Sequence, residues 1–249
     1  MIKKIKNLIR NSILSFIFLI FGIGALIVRY GVFSVQKIFI KNGENEKIKY
    51  LETLQKTWIF IIWLLTVTKI IEVSADIEKL KNIKNKIIVS THPSFIDIVI
   101  LISIIPHSTS FVADKLAKNP FFRGMVDLLF ILEGSENWEN KACKMLDDGI
   151  NIIIFPMGSR HKRDEKPKIR RGASLLALKS QTDITVLNIK TSSDFLQSGQ
   201  PFYQAGCEPV KYDITQRGEI NIKEFTEKYP DEVTFKTEVS KEIAQKIYD

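Results

Sequence analysis

A histidine and an aspartate lie five positions apart in the stretch STHPSFIDIVIL, between two apolar runs. At neutral pH an imidazole can remove a proton from an alcohol, and a carboxylate on its other ring nitrogen would fix the tautomer and stabilise the imidazolium. The spacing of His92 and Asp97 therefore predicts a pair that activates a hydroxyl group. A structural interpretation also fits, because Ser94 and Asp97 form the S-x-x-D pattern of a helix cap.

A second apolar run ends in polar residues, in the stretch IIIFPMGSRHKRD. Backbone amides near Pro156, Gly158 and Ser159, together with the guanidinium of Arg160, could hold a phosphate group in this turn. The basic residues of 161–171 follow directly. Part of that basic stretch is expected to be solvated surface, and the rest to meet phosphate headgroups or an acidic carrier protein.

Short strands and helices must position these residues. Aliphatic runs that are apolar on both faces predict buried parallel strands at 86–90, 109–113, 151–155 and 184–189. Helical patterns are found at 96–105, 121–130, 138–148 and 173–179 and after Pro230, and GEINIKEF indicates a late strand. This alternation predicts an α/β domain over 73–249, with a mostly parallel central sheet flanked by helices. Both polar turns would then lie at strand ends, where such sheets collect ligands.

Residues 1–72 are different in character. Between Asn11 and Gln36 the single charge is Arg29, and a second uncharged run at 57–68 carries two tryptophans, which favour the lipid headgroup boundary. Basic residues flank the first run on both sides, at Lys3, Lys4, Lys6, Arg10, Arg29, Lys37 and Lys41. The pattern favours a helical hairpin that anchors the protein to one membrane face. A cleaved signal peptide and two buried core helices remain alternative interpretations.

The composition limits the class of protein. The hydrophobic content of 45% is ample for a packed core, and the net charge of +8 indicates attraction to polyanions. A nucleic-acid partner would explain the charge, but it would explain neither the apolar N-terminus nor the two polar turns. We therefore predict no nucleic-acid binding.

Three motifs, in this order, resemble those of the glycerolipid (lysophospholipid) acyltransferase family. H-x4-D is present as HPSFID, basic residues ahead of a proline and a glycine are present as KLAKNPFFRG, and FPMGSR is similar to F-P-E-G-T-R. The helix RGASLLALKS is also similar to the family's stretch after the third motif. The resemblance runs from about Lys86 to Lys190.

The resemblance implies a membrane-associated O-acyltransferase of phospholipid biosynthesis. Such an enzyme moves a fatty acyl chain from a thioester of coenzyme A or acyl carrier protein to the hydroxyl of a lysophospholipid such as 1-acylglycerol-3-phosphate, giving phosphatidic acid. His92 would be the general base, Asp97 its orienting partner and Arg160 the phosphate ligand. Further substrate contacts are expected from Ser94, Lys115, Arg123, Pro156, Gly158 and Ser159.

The resemblance also implies partners and a location. Membrane lipids and the acyl donor would be the partners, and no metal or redox cofactor is required. The catalytic domain would face the cytoplasm from the inner membrane.

Departures from the family pattern include two substitutions. Met157 stands where the family usually has glutamate, and Ala113 stands where it usually has lysine. A thioether cannot accept strong hydrogen bonds from an acceptor's hydroxyls, so we expect the acceptor to be positioned differently. An acyltransferase for another lipid, a lipid-linked sugar or a polyene product is therefore an alternative. A non-catalytic lipid-binding remnant is a second alternative, although the retention of both His92 and Asp97 favours catalysis.

Overall fold

The computed structural model describes residues 2–40, 45–113, 118, 126, 128–158, 160, 165–197 and 199–248, and seven strands of this part form one sheet. In spatial order the strands run β1-β7-β6-β2-β5-β3-β4. Neighbours are parallel except for the antiparallel pair β6 and β7. The strands are β1 (Ile71–Ala75), β2 (Ile87–Ser90), β3 (Ser108–Val112), β4 (Ile131–Leu132), β5 (Asn151–Ile154), β6 (Ile184–Thr191) and β7 (Val210–Ile220).

The central strands match the predicted ones because their sequences are apolar on both faces. Every residue of β2 and β5 is buried, as expected for parallel strands covered by helices on both sides. The prediction of a mostly parallel α/β sheet is thus confirmed. The predicted late strand GEINIKEF is only partly right, since β7 ends at Ile220. Asn221 then caps a helix by accepting a hydrogen bond from the Glu224 N–H.

Helices cover both faces of the sheet. Those of the α/β region are α4 (Ile77–Lys81), α5 (Asp97–Ile104), α6 (Trp138–Asp147), α7 (Gly172–Ser180), α8 (Ile222–Lys228) and α9 (Glu232–Tyr248). The predicted helix after Pro230 is confirmed, and Val239, Ile243 and Ile247 are buried on its inner face. Most of the predicted helix at 121–130 lies outside the described residues.

The N-terminal residues form an antiparallel helical hairpin. α1 (Ile2–Leu26) continues through a π-helical stretch (Ile27–Val32) into α2 (Phe33–Phe39), and α3 (Glu46–Val67) returns alongside it. The rings of Phe33 and Tyr50 stack with centroids 4.4 Å apart near the hairpin turn. By length and composition Ile2–Phe39 could cross a membrane, and 22% of its most apolar stretch is buried.

Arg10 holds this hairpin to the sheet. Its guanidinium donates to the carbonyl oxygens of Lys69 at 2.6 Å, Gly206 at 2.9 Å and Glu208 at 2.9 Å, with a longer contact to Ala205. Only 7% of the residue is exposed. The prediction that Arg10 belongs to a lipid-facing basic flank is therefore wrong, because main-chain carbonyls of the protein occupy its donors.

Candidate active site

The side chains of His92 and Asp97 meet in the loop that leaves β2. His92 Nδ1 lies 3.0 Å from Asp97 Oδ2. The start of the loop is fixed to β6, because the Thr91 hydroxyl donates to the Ile189 carbonyl at 3.0 Å and accepts from the Ile189 N–H at 2.6 Å. Asp97 is fully buried, whereas 16% of the His92 side chain is exposed. The carboxylate is thus shielded from water while the imidazole reaches the adjoining cavity.

Asp97 closes the turn as well as contacting the histidine. The Ser94 N–H donates to the same oxygen, Oδ2, at 2.7 Å, and the Ile96 N–H donates to Ser94 Oγ at 3.3 Å. The Ser94–Asp97 half of the predicted cap and the His92 contact are therefore present together, while Ile96, at the start of α5, makes no side-chain cap hydrogen bond. The Ser94 N–H holds the carboxylate at the place where the imidazole meets it.

Two contacts fix the orientation of the His92 ring, one at its Nδ1 edge and one on its face. An ionised carboxylate only accepts hydrogen bonds, so Nδ1 is the donor to Asp97 and the neutral imidazole carries its lone pair on Nε2. The ring also stacks on Phe155, with centroids 4.0 Å apart and planes 14° apart. This arrangement suits an imidazole that accepts a proton at Nε2.

Arg160 follows β5 and is held by main-chain carbonyls. Its Nη1 donates to Leu196 O at 2.7 Å and to Gln197 O at 3.3 Å, and its Cζ lies 5.8 Å from the centroid of the Phe95 ring. Leu196 O also accepts from the Phe95 N–H at 3.1 Å, so the arginine and the loop after β2 share one anchor. Burial lowers the pKa of Arg160 and the charge of Asp97 opposes this shift, but a guanidinium remains charged at neutral pH.

A second guanidinium lies beside Gly158. The φ angle of Gly158 is +80°, which favours glycine, and a Cβ at this position would collide with the side chain of Arg170. The Arg170 N–H donates to Pro156 O at 2.8 Å, so the chain returns to this turn after the basic stretch. The sequence shows Arg170 only as one of several basic residues in 161–171 and predicts no specific position for it.

A cavity of about 750 Å³ joins these groups. His92, Arg160 and Arg170 contribute to its lining, as do aromatic side chains of the sheet region and of the N-terminal hairpin. The aromatic residues are Phe21, Trp58, Phe95, Phe111, Phe130, Trp138 and Phe155. A cavity with two guanidiniums and many apolar walls suits a ligand that is anionic in one part and hydrocarbon in another.

The structure places the predicted site residues in three different settings: in the cavity lining, buried behind His92, or outside the described part of the chain. His92, Pro156, Gly158 and Arg160 line the cavity, and the buried Asp97 and Ser94 support His92 from behind. Met157 is buried and Ala113 lines the cavity. Lys115, Arg123 and Ser159 lie outside the described residues.

Comparison with known proteins places this fold and motif set in a class. Residues 71–190 match the family model described as Acyltransferase. The resemblance found in the motifs is therefore confirmed. Over 108 residues the chain is 35% identical to the 1-acyl-sn-glycerol-3-phosphate acyltransferase of Helicobacter pylori, covering 40% of this chain and 46% of that protein.

A human relative and a solved structure extend the comparison. The chain is 23% identical over 148 residues to human 1-acyl-sn-glycerol-3-phosphate acyltransferase beta, covering 55% of this chain and 52% of that protein. The chain thus spans about half the length of the curated relatives it matches. The crystal structure of the 1-acyl-sn-glycerophosphate (LPA) acyltransferase PlsC from Thermotoga maritima superposes with a TM-score of 0.67 at 21% identity, covering 98% of this chain and 96% of that one. This last likeness establishes a shared fold.

Proposed function

We propose that this chain is an O-acyltransferase that moves a fatty acyl group from an acyl thioester to the hydroxyl of a lysophospholipid such as 1-acylglycerol-3-phosphate, giving phosphatidic acid. The observation that carries the proposal is the contact of 3.0 Å between His92 Nδ1 and Asp97 Oδ2 beside a cavity lined by Arg160. The names of the curated relatives support the same class of reaction.

In the proposed mechanism His92 transfers one proton. Nε2 removes the proton from the acceptor hydroxyl as its oxygen attacks the thioester carbonyl carbon. The tetrahedral intermediate collapses, the carbon–sulfur bond breaks, and the imidazolium returns the proton to the departing thiolate. Asp97 stabilises the imidazolium while it exists. The acyl group passes directly to the acceptor, so no acyl-enzyme is formed.

The two guanidiniums support a phosphorylated acceptor. Arg160 and Arg170 both line the cavity that His92 reaches, and a guanidinium binds phosphate through paired N–H donors. The apolar walls would hold the hydrocarbon chains of donor and acceptor. Coenzyme A or acyl carrier protein would supply the acyl group as a substrate, and no metal or redox group takes part in these steps.

Association with a membrane is part of the proposal. The N-terminal hairpin exposes apolar side chains on α1 and α3, and two of its residues, Phe21 and Trp58, line the cavity. A lipid substrate could therefore pass from a bilayer to His92 without crossing water. We place the protein on the inner membrane with its α/β domain facing the cytoplasm, as the resemblance implies.

The direct test is turnover of purified protein supplied with acyl-coenzyme A and 1-acylglycerol-3-phosphate, with release of free thiol and formation of phosphatidic acid measured together. Loss of a general base reduces turnover by roughly 10² to 10⁴, so His92→Ala should fall in that range. His107→Ala is the matched control, since His107 is half exposed beside Glu52. Turnover of His92→Ala equal to that of the wild type would refute the proposed role.

A different acceptor for the same reaction is the second candidate. Met157 is buried in the hydrophobic core at the position where the resemblance leads us to expect a carboxylate. Other lysolipids, a lipid-linked sugar or a polyene alcohol would then consume the acyl donor. Offering these acceptors one at a time, with the same thiol assay, distinguishes the two candidates.

A further inference from the structure

Tyr212 connects a distant strand to the His92 loop. It lies on β7, which β6 separates from β2, and its side chain is fully buried. Its hydroxyl donates to Ser94 Oγ at 2.8 Å. Because β7 lies outside the residues matched by the family model, 71–190, that match gives Tyr212 no role.

The hydrogen bonds continue from Ser94 to the histidine. Ser94 Oγ accepts from the Tyr212 hydroxyl and from the Ile96 N–H at 3.3 Å, which fixes the serine from two directions. The Ser94 N–H then donates to Asp97 Oδ2 at 2.7 Å, and the same oxygen lies 3.0 Å from His92 Nδ1. Linked hydrogen bonds of this kind strengthen one another in a buried site.

We propose that Tyr212 is a positioning residue that acts through Ser94 and Asp97 to hold the His92 imidazole in the tautomer with Nδ1–H. The inference rests on the function proposed above, because there His92 is the base and needs its lone pair on Nε2. Asp97 Oδ2 accepts from both the Ser94 N–H and His92 Nδ1, so the position of Ser94 sets where the carboxylate meets the imidazole. Without the Tyr212 hydroxyl, Ser94 loses one of the two donors that fix it, and the carboxylate is held less firmly.

Tyr212 remains a hydrogen-bond donor under all ordinary conditions. Burial raises the pKa of Tyr212 well above its usual range, and the charge of Asp97 raises it further, while the bond to Ser94 acts in the opposite direction. The hydroxyl therefore keeps its proton at neutral pH.

The first test is Tyr212→Phe, which retains the buried ring and removes the hydroxyl. We expect kcat to fall by about tenfold, the effect of one lost hydrogen bond, with KM for both substrates unchanged within about twofold. Tyr229→Phe is the matched control, because its ring packs on Phe225 at the end of α8. Thermal unfolding of each variant shows whether the fold is retained.

A double variant tests the route through Ser94. If Tyr212 acts only through the serine, adding Tyr212→Phe to Ser94→Ala should leave kcat at the value of Ser94→Ala alone. A decrease in the Ser94→Ala background as large as that in the wild type would overturn the proposed route.

The tautomer itself can be measured without any turnover. The chain has three histidines, so the ¹⁵N shifts of the ring nitrogens are readily assigned with a His92→Gln variant. With the imidazole neutral, wild-type His92 should show distinct shifts for a protonated Nδ1 and an unprotonated Nε2. In Tyr212→Phe these two shifts should move towards each other, and those of the other histidines should stay in place.

The outcomes separate the two proposals. Distinct wild-type shifts that converge in Tyr212→Phe support the positioning role, whether or not an acyl acceptor is turned over. Identical shifts in the two proteins refute the positioning role, even if His92→Ala abolishes turnover and thereby supports the function.

Discussion

In the proposed function Arg160 has two tasks: it bonds to main-chain carbonyls, and it offers its remaining donors to a phosphate. Its Nη1 bonds to the carbonyl oxygens of Leu196 and Gln197, which fixes the side chain beside the cavity. The planar guanidinium carries further N–H donors on Nε and Nη2 in a rigid fork. A lysine ammonium has the same charge but carries its three donors on one nitrogen, so it cannot bond to both carbonyls and also present a planar pair of N–H donors to phosphate.

We therefore predict that Arg160→Lys weakens acceptor binding more than it slows the chemical step. Loss of a charge-assisted hydrogen bond costs ~1.5–3 kcal/mol, so KM for 1-acylglycerol-3-phosphate should rise by about 10- to 100-fold. KM for the acyl donor should change little. Initial rates over a range of acceptor concentrations measure this. Arg171→Lys, an exposed arginine at the start of α7, is the control, and an equal rise in that variant would contradict the prediction.

The sequence predicts the chemical pair and misses its supports. His92 and Asp97 were found because their residue types and spacing carry the chemistry. The Leu196 carbonyl that anchors Arg160 could not be found in this way, because every residue has a carbonyl and the distinguishing feature is a backbone φ of +53°. Tyr212 was missed because it is 118 residues from Ser94, and only the sheet brings the two together.

Among the elements, α1 depends on one buried arginine for its position. The guanidinium of Arg10 bonds to carbonyls of Lys69, two residues before β1, and of the segment before β7. Removing the side chain would leave these part-buried carbonyls without these donors. We predict that Arg10→Ala lowers the free energy of unfolding by about 2–3 kcal/mol, or the Tm by roughly 4–12 °C.

Thermal unfolding followed by circular dichroism tests the role of Arg10, and Lys6→Ala is its control. Lys6 lies one turn earlier on α1 and pairs with Glu208 at 2.6 Å, but this pair is exposed to water. Exposed ion pairs contribute little to stability, so the Tm of Lys6→Ala should stay close to that of the wild type. Equal Tm values for Arg10→Ala and the wild type would show that the arginine does not hold the helix.

Asp183 links the start of β6 to two other elements. Its Oδ2 lies 2.8 Å from Lys86 Nζ, ahead of β2, and its Oδ1 accepts from the Ile222 N–H at 3.0 Å, at the start of α8. Partial burial alone would raise the pKa of Asp183, but the bonds from Lys86 and Ile222 outweigh it and lower the pKa below its ordinary value. The ionised form is therefore favoured by folding.

The sign of the resulting pH dependence follows from this lowered pKa. Stability from ionised Asp183 is fully present above its unfolded pKa of about 3.9 and is lost as the pH falls through the folded pKa. Asp183→Asn should thus be less stable than the wild type at neutral pH, and the difference should close below about pH 4. Urea unfolding across this range measures the difference in free energy of unfolding between the two proteins. In a Lys86→Met background this difference should change less with pH, because the partner of Asp183 is absent. A gap that persists undiminished in acid would contradict the prediction.

Elements with a strong local signal were predictable, and those defined by long-range pairing were not. The four predicted strands are aliphatic and apolar on both faces, so the sequence alone indicates that they are buried β-strands. β7 instead alternates buried and exposed residues and contains charged side chains, and it becomes a strand by pairing with β1 and β6. β1 also lacks a clear local signal, because its start at Ile71 follows the apolar helix α3 after three residues and its pairing partner is the distant β7.

At the scale of the whole molecule, one surface is unusually apolar for a protein in water. Large hydrophobic side chains are exposed on both arms of the hairpin and on a nearby loop whose Phe202 lies 5.6 Å from Phe18 between ring centroids. They include Leu8, Phe16, Leu19, Ile23, Ile27, Ile59, Phe60, Trp63, Val67, Phe202 and Tyr203. Exposed apolar side chains in this number indicate an interaction surface, and the proposed function makes a bilayer its partner.

This surface allows the membrane part of the proposal to be tested without an activity assay. Phe60 and Trp63 stack on α3 with 48% and 54% of their surfaces exposed. Burying half of each side chain in lipid is worth ~1–1.5 kcal/mol, so changing both to serine should weaken vesicle binding by about 30- to 100-fold. Sedimentation with phosphatidylglycerol-containing vesicles measures the loss. Val233→Ser removes an equally exposed apolar side chain from α9 and should bind as the wild type does. If the Phe60→Ser, Trp63→Ser protein also binds as the wild type does, these aromatic residues do not contact the bilayer.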